Sequence, residues 1–364
     1  MPAPPRPSFH RWRRAGRIAP TLVVAWTVAT FVAARVAGVA GPETVLATLW
    51  RSLVLGAITG AVGAWLETGP LARAGRRLPL GAALVARTVA YAALVAAGMA
   101  ALIAAVSWIQ FGVSPSDLWV APEFQALARG PALWTMFGLL VLASFGINLG
   151  LGLRRVLGPE TLFALLVGRY RRPVWEERAF VFLDLADSTA WAERLGPLRF
   201  TDLKNDFFAD VAEPVLATGG RIVQYVGDEV MVSWPMRRAE RDAAPLRFFF
   251  LVEARVQAHA EQYRQRYGSV PQFKAGCHGG GVVTAEVGDL KRDIVHSGDV
   301  VNTAARIEGE CRPRGHRLLV SAALLARLPD VDGLAVTPLG DVALRGKVDR
   351  VGLCAVTQAA AVAA

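Results

Sequence analysis

The chain has 364 residues, 53% of them hydrophobic, and a formal net charge of +10. That length allows two or three domains, and strong hydrophobicity with an arginine excess fits a membrane protein better than a nucleic-acid binder. The three scattered cysteines, Cys277, Cys311 and Cys354, exclude a disulfide framework and favour a reducing compartment. Residues 1–20 are rich in Pro and Arg and read as a disordered, basic cytoplasmic tail lying against lipid, with no signal-peptide cleavage site. Four segments, 21–41, 45–67, 80–106 and 134–153, then offer the ~20 apolar residues that a spanning helix needs. They define a transmembrane domain over 21–157. Arg35, Arg51 and Arg87 interrupt the spans and are expected at helix ends or facing the bundle interior.

The loops orient the bundle. Arg73, Arg76 and Arg77 fall between the second and third spans, and Arg154 and Arg155 follow the fourth. Gly41–Thr44 has no basic residue, and the loop Pro115–Gly130 has Asp117, Glu123 and only Arg129. The positive-inside rule places both termini in the cytoplasm of a multi-pass inner-membrane protein. None of the five histidines lies in a span, which leaves no pair of axial ligands for a membrane haem.

Residues 158–178 read as a connector, with a short helix over Thr161–Tyr170 stopped by Pro173. Either a passive spacer or a lever fits it. A catalytic domain follows over 179–357, and a short disordered tail over 358–364. Strands are expected at Ala179–Leu185, Gln272–Cys277, Val282–Val287, Asp293–Ser297, Arg317–Ser321, Val342–Leu344 and Val351–Val356. Helices are expected from Ser188 to about Thr218 with a break at Leu195-Gly196-Pro197, and over Arg237–Tyr267, Val300–Glu310 and Ala322–Leu328. His278-Gly-Gly-Gly281 reads as a turn between strands that permits close backbone approach at a dimer interface, with His278 structural.

The stretch GGRIVQYVGDEVMVSW (Gly219–Trp234) reads as a β-hairpin turning at Gly227-Asp228. Upstream, the apolar run AFVFLD ends at Asp184. Carboxylates on the ends of two apolar strands suit a hard divalent cation, although an acid in a tight turn is also ordinary turn chemistry.

The segments FVFLDLADSTAWAERL, GGRIVQYVGDEVM, FKAGCHGGGVVTAEVG, HSGDVVNTAARIE and LRGKVDRVGL occur in that order. Together they resemble the catalytic domain of class III nucleotidyl cyclases, over about 179–357. The resemblance implies an α-helical membrane bundle of four spans followed by an α+β, ferredoxin-like catalytic domain. It implies two Mg2+ or Mn2+ ions per site, with Asp184 and Asp228 bridging them and the Leu185 carbonyl as a further ligand. The turn Asp187, Ser188, Thr189 and the lysine Lys347 would take the triphosphate, and Asn302 and Arg306 would serve ribose and α-phosphate. Asp187 and Ser188 stand where the family often has Gly and Phe; Asp187 is expected to point away from phosphate, as a helix N-cap. Gln224 and Val295 fall on the base-recognition positions and match neither the adenylyl nor the guanylyl pattern. A register shift that turns His296 to the base is the alternative to an ordinary strand histidine.

The family builds its sites between two catalytic domains, so a head-to-tail homodimer is implied, with ATP as substrate and no nucleic-acid partner. Three readings stay open at this point. They are an adenylate cyclase or its guanylate counterpart, a catalytically silent nucleotide-binding signalling module, and a channel or transporter. The last is the poorest fit, since the spans carry no acid apart from Glu67 at the very end of the second.

Overall fold

The computed structural model describes residues 7–38, 45–68, 78–112, 114, 117, 120 and 122–359. Two compact units divide the chain, Met1–Leu162 and Phe163–Ala364. The loop 41–44, Arg73, Arg76, Arg77 and residues 360–364 lie outside the described residues.

The first unit is helical: α1 (Pro7–Val36), α2 (Val45–Thr68), α3 (Leu80–Phe111), a short α4 (Pro122–Arg129) and α5 (Pro131–Leu157). Windows in α1, α2, α3 and α5 are long and apolar enough to cross a membrane. Residues 7–20, expected as a disordered tail, are helical: α1 starts at Pro7 and passes through Pro20. Gly60 of α2 lets the helix lie against α1, where a Cβ would meet the Val23 backbone N at 2.6 Å. Trp26 of α1 stacks on Tyr91 of α3 with ring centroids 5.7 Å apart. Of the span arginines, Arg87 is 5% exposed and so faces the interior. Arg35 lies in the last turn of α1, and both Arg35 and Arg51 are exposed.

After α6 (Pro159–Val167), the second unit is an eight-stranded sheet with helices on both faces. Its strands are β1 (Val174–Leu185), β2 (Arg221–Val226), β3 (Glu229–Pro235), β4 (Phe273–Val287), β5 (Asp293–Ser297), β6 (Leu318–Ser321), β7 (Leu334–Val342) and β8 (Val351–Gln358). The order is β2-β3-β1-β4-β6-β8-β7, with β5 added on β4. Among the described residues, only β4 and β6 pair in parallel. Its helices are α7 (Ser188–Thr218), α8 (Met236–Asp242), α9 (Ala244–Ala258), α10 (Ala260–Tyr267), α11 (Asp299–Gly309), α12 (Cys311–Arg314) and α13 (Ala322–Leu325).

The central strand β1 is buried on both faces, and period-2 alternation splits its side chains between two cores. Ala179, Val181, Leu183 and Leu185 pack with Phe207 of α7 and Phe248 and Phe249 of α9. Phe180 and Phe182 face Val282 of β4 and Ala304 of α11.

Four expectations are corrected. Residues 174–178 are not connector but the start of β1, where Val174–Arg178 pair with Thr284–Gly280 of β4. His278-Gly-Gly-Gly281 is not a turn: β4 runs unbroken through it. Side chains of the same chain fill the space those glycines leave, since Cβ atoms at Gly279 and Gly280 would meet Met236 and Val300 at 2.7 and 2.9 Å. The single helix expected over 237–267 is three, because Ala243 turns left-handed (φ 46°) and His259 breaks the α9–α10 junction (φ −102°). Strand β7 begins at Leu334, eight residues before the expected Val342. The break in α7 is where it was expected, at Gly196 (φ 72°).

Candidate active site

Asp184 is the eleventh residue of β1, where the strand leaves the core. Its register partners are Glu229 at the start of β3 and Lys274 at the start of β4. The hairpin turn between β2 and β3 adds Asp228, whose charge and hydrogen bond help raise the Asp184 carboxyl, after burial, above the ordinary carboxylate range. Strand pairing thus gathers Asp184, Asp228, Glu229 and Lys274 at one end of the sheet. Glu308 of α11 completes the cluster. Lys274 Nζ donates to Asp184 Oδ2 at 2.8 Å and also to Glu308.

The cluster is strongly charged and half-buried. Burial, then the Glu308 and Asp184 charges, push the Glu229 carboxyl up to about 7. Burial also raises Glu308, against the hydrogen bond from Lys274. Burial works against the Lys274 ammonium, but its bonds to Asp184 and Glu308 prevail and hold it above the ordinary lysine range.

A cleft of about 680 Å³ opens beside Asp184, lined by Leu185, Ser188, Thr189, Lys274 and Arg312 among others. The N-terminus of α7 points its first amides here, and those amides have no intrahelical acceptor. Asp187 precedes the helix in left-handed conformation (φ 53°, ψ 38°) and makes no side-chain capping bond. Asp187 thus holds the expected N-cap position, its carbonyl accepting from Trp191 N at 3.1 Å, but its carboxylate does not cap the helix. An Asp tolerates this backbone better than most residues, so it can stand where the family often has Gly. Its carboxylate is exposed and lies 3.8 Å from the Arg312 guanidinium.

The donor set fits a hard divalent cation: the Asp184 and Asp228 carboxylates and the Leu185 carbonyl are all oxygen ligands. The Lys274 ammonium on Asp184 already acts as a stand-in cation. Among the described residues, no three His, Cys, Asp or Glu side chains converge in metal-ligand geometry. Phosphate and water oxygens are left to complete the coordination, as suits Mg2+.

A second group of expected site residues lies on another side of α11. Asn302 is exposed, and Arg306, one turn on, donates to the Gly346 carbonyl at 3.4 Å. Lys347 bonds Asp299 at 2.8 Å and Thr303 at 3.0 Å. Residues two apart on a helix do not share a face. Arg306 therefore points away from Glu308 and from the Asp184 cleft of its own chain, and none of Asn302, Arg306 or Lys347 lines that cleft.

Gln224 and Val295 are both exposed, on β2 and β5. His296 is not: its side chain is fully buried, 2.8 Å from Thr284 Oγ1 and edge-on to Phe180. Burial, then the Arg178 charge, lower its pKa to about 3. The register shift that would turn it to a base is excluded. His278 Nδ1 lies 2.7 Å from Ser321 Oγ. The three cysteines are buried and free.

Sequence reasoning missed Lys274, Glu229 and Glu308. Glu229 and Glu308 lie inside the segments GGRIVQYVGDEVM and HSGDVVNTAARIE, and the resemblance attached no role to either. Lys274 lies in the segment FKAGCHGGGVVTAEVG, but its pairing with Asp184 comes from the β1–β4 register, which the sequence does not display.

Residues 173–355 match the family described as "Adenylate and Guanylate cyclase catalytic domain". The chain is 42% identical over 207 residues to a protein of Rhizobium meliloti (strain 1021) named adenylate cyclase 2, covering 57% of each chain. It is 30% identical over 182 residues to adenylate cyclase 1 of the same organism, covering 48% of this chain and 27% of that one. It thus spans little more than half the length of the first of these relatives and about a quarter of the second. Among solved structures, a bacterial light-regulated adenylyl cyclase superposes with a TM-score of 0.52 at 19% identity, covering 61% of this chain and 65% of that one, which bears on the fold alone. With five motifs in register, a sheet that gathers Asp184 and Asp228, and a family match over half its length, the chain belongs to the adenylate and guanylate cyclase catalytic domain family.

Proposed function

We propose that the protein is a membrane-anchored adenylate cyclase, converting ATP to cyclic AMP and pyrophosphate at two sites shared across a head-to-tail homodimer. One observation carries this reading. The chain holds both halves of a cyclase site, yet α11 turns Asn302 and Arg306 away from the cleft that holds Asp184. A second copy is needed to complete either site.

In the reaction the ribose 3′-oxygen bonds to the α-phosphorus, its proton passes to solvent, and the bond to the β-phosphate oxygen breaks. Two Mg2+ or Mn2+ ions, held by Asp184, Asp228 and the Leu185 carbonyl, would supply a sharper nucleophile and neutralise the triphosphate. The α7 amides at Asp187, Ser188 and Thr189 take phosphate oxygens. From the partner copy, Asn302 orients the ribose and Arg306 meets charge growing on the α-phosphate. Lys347 leaves Asp299 and Thr303 to reach the triphosphate. Gln224 both donates and accepts against the purine edge, and Val295 packs on the ring.

The named adenylate cyclase relative at 42% identity supports ATP. Gln224 and Val295 follow neither usual base-reading pattern, which keeps a guanylate cyclase as the second reading. The arginine distribution supports an inner-membrane location with both termini and the catalytic unit cytoplasmic.

The test offers ATP and GTP separately, with Mn2+, to the full-length protein in lipid and identifies the cyclic products by mass. Cyclic AMP from ATP alone is expected. Cyclic GMP overturns the purine assignment and keeps the chemistry. No product from either nucleotide overturns the enzyme in favour of a silent nucleotide-binding module.

A further inference from the structure

Two residues beside the Asp184 cleft have no part in that reaction scheme, Lys274 and Glu308. Lys274 is the direct register partner of Asp184 across the β1–β4 ladder, so their 2.8 Å contact is built into the sheet. Glu308 is 8% exposed and takes the other bond of the same ammonium. Its distance from Lys274 is fixed by packing. Gly276 lies two residues further along the same face of β4, and a Cβ there would meet the Ala304 carbonyl oxygen at 2.6 Å and the Glu308 backbone. The last turn of α11 is pressed onto β4, which holds the Glu308 backbone beside Lys274.

An ammonium and a divalent cation on the Asp184 carboxylate repel each other and compete for its lone pairs, so each weakens the other's hold. A half-buried lysine displaced from one carboxylate needs another acceptor close by. Resting on the cyclase reading, we infer that Lys274 is the resident counter-ion of Asp184 in the metal-free protein, and that Glu308 is the positioning residue that receives it when a divalent cation enters. Glu308 binds neither metal nor nucleotide in this scheme; it acts through Lys274.

The experiment is a double-mutant cycle read by Mn2+ binding, without nucleotide. Free Mn2+ is measured by electron paramagnetic resonance over the full-length protein in detergent micelles. Glu308→Gln is expected to raise the Mn2+ dissociation constant about tenfold, which is about 1.4 kcal/mol. In a Lys274→Met background the same change is expected to cost less than about threefold, since no lysine remains to be housed. Lys274→Met alone is expected to bind Mn2+ more tightly than the parent. Equal losses in both backgrounds show Glu308 acting as a plain negative charge and overturn the handover. If Glu308→Gln does not fold, Lys274→Met decides: unchanged or weaker Mn2+ binding overturns it. Asp184→Asn separates the two levels. If that variant binds Mn2+ like the parent, the metal assignment falls and the handover with it. If it loses binding while the cycle is additive, only the handover falls.

Discussion

Asp184 and Asp228 lie 44 residues apart in the chain, and the antiparallel pairing of β1 with β3 brings them together. Each is marked in the sequence by what surrounds it, an apolar run ending in one acid and a Gly-Asp hairpin turn. Asp228→Asn keeps the turn and the shape while removing the charge. The Lewis-acid contribution it supports is worth several kcal/mol. At ~1.4 kcal/mol per tenfold, turnover falls by about 10²- to 10³-fold. The circular dichroism spectrum is expected to stay that of the parent; normal turnover in a folded variant would sink the metal assignment. Its neighbour Glu229 gives a pH signature. Its carboxyl is held near 7 in the folded protein, against an ordinary 4.5. Between those values the folded chain keeps a proton that the unfolded chain has lost, so stability falls as pH rises through that window. Glu229→Gln removes this slope. Above pH 7 it is expected to stabilise the metal-free protein by about 1 kcal/mol after allowance for solvent screening, or ~2–4 °C in Tm. Thermal unfolding at pH 5 and pH 8 in chelator reads it, and an unchanged pH slope refutes the assignment.

At the scale of elements, α11 does the most for its length. It closes the small core over Phe180 and Phe182, carries Glu308 toward one cleft and turns Asn302 and Arg306 away from it. Gly276 permits this, so Gly276→Ala tests it. The added methyl would meet backbone on α11, which cannot rotate aside as a side chain would. Overpacking of this kind costs about 1–3 kcal/mol. Displacing α11 is expected to lower kcat more than it lowers Tm would suggest, because reacting groups tolerate little misplacement. A variant with parental kcat and Tm shows that the contact is not needed. The i, i+4 spacing of Asn302 and Arg306 was legible in the sequence, as were the hairpin, the four apolar helices and the break at Gly196. The unbroken β4 was not, because glycines ordinarily weaken strands and here serve packing by other elements. Strand β7 was hidden by Pro338 and Gly340, which sit at its register shift. The division at Ala243 was marked by Pro245 in the first turn of α9, a breaker that the reading of one helix over 237–267 passed over. Lys274 was visible only as one of four lysines until the register set it against Asp184.

For the whole molecule the question is how the two proposed half-sites of the chain are combined. Asp184 lies on the floor of the cleft, whereas Asn302 and Arg306 lie on an outward face of α11. If each site takes its carboxylates from one copy and its Asn/Arg pair from the other, damage to the two halves on different chains is separable. A mixed dimer of Asp184→Asn with Arg306→Ala concentrates both lesions in one site and leaves the other with intact Asp184, Asp228, Asn302 and Arg306. Each variant alone is expected to be inactive, because both of its sites carry one lesion. Co-expression with two different affinity tags, and sequential purification, isolates the mixed species in lipid. One repaired site in two predicts about half of the parental turnover per dimer, since the two sites of a symmetric homodimer are equivalent. A mixed dimer as inactive as either parent variant, with both tags verified, would show that each site is built within one chain. The outward-facing Arg306 would then need a swing of α11 to reach its own cleft, and the packing of Gly276 against that helix opposes it.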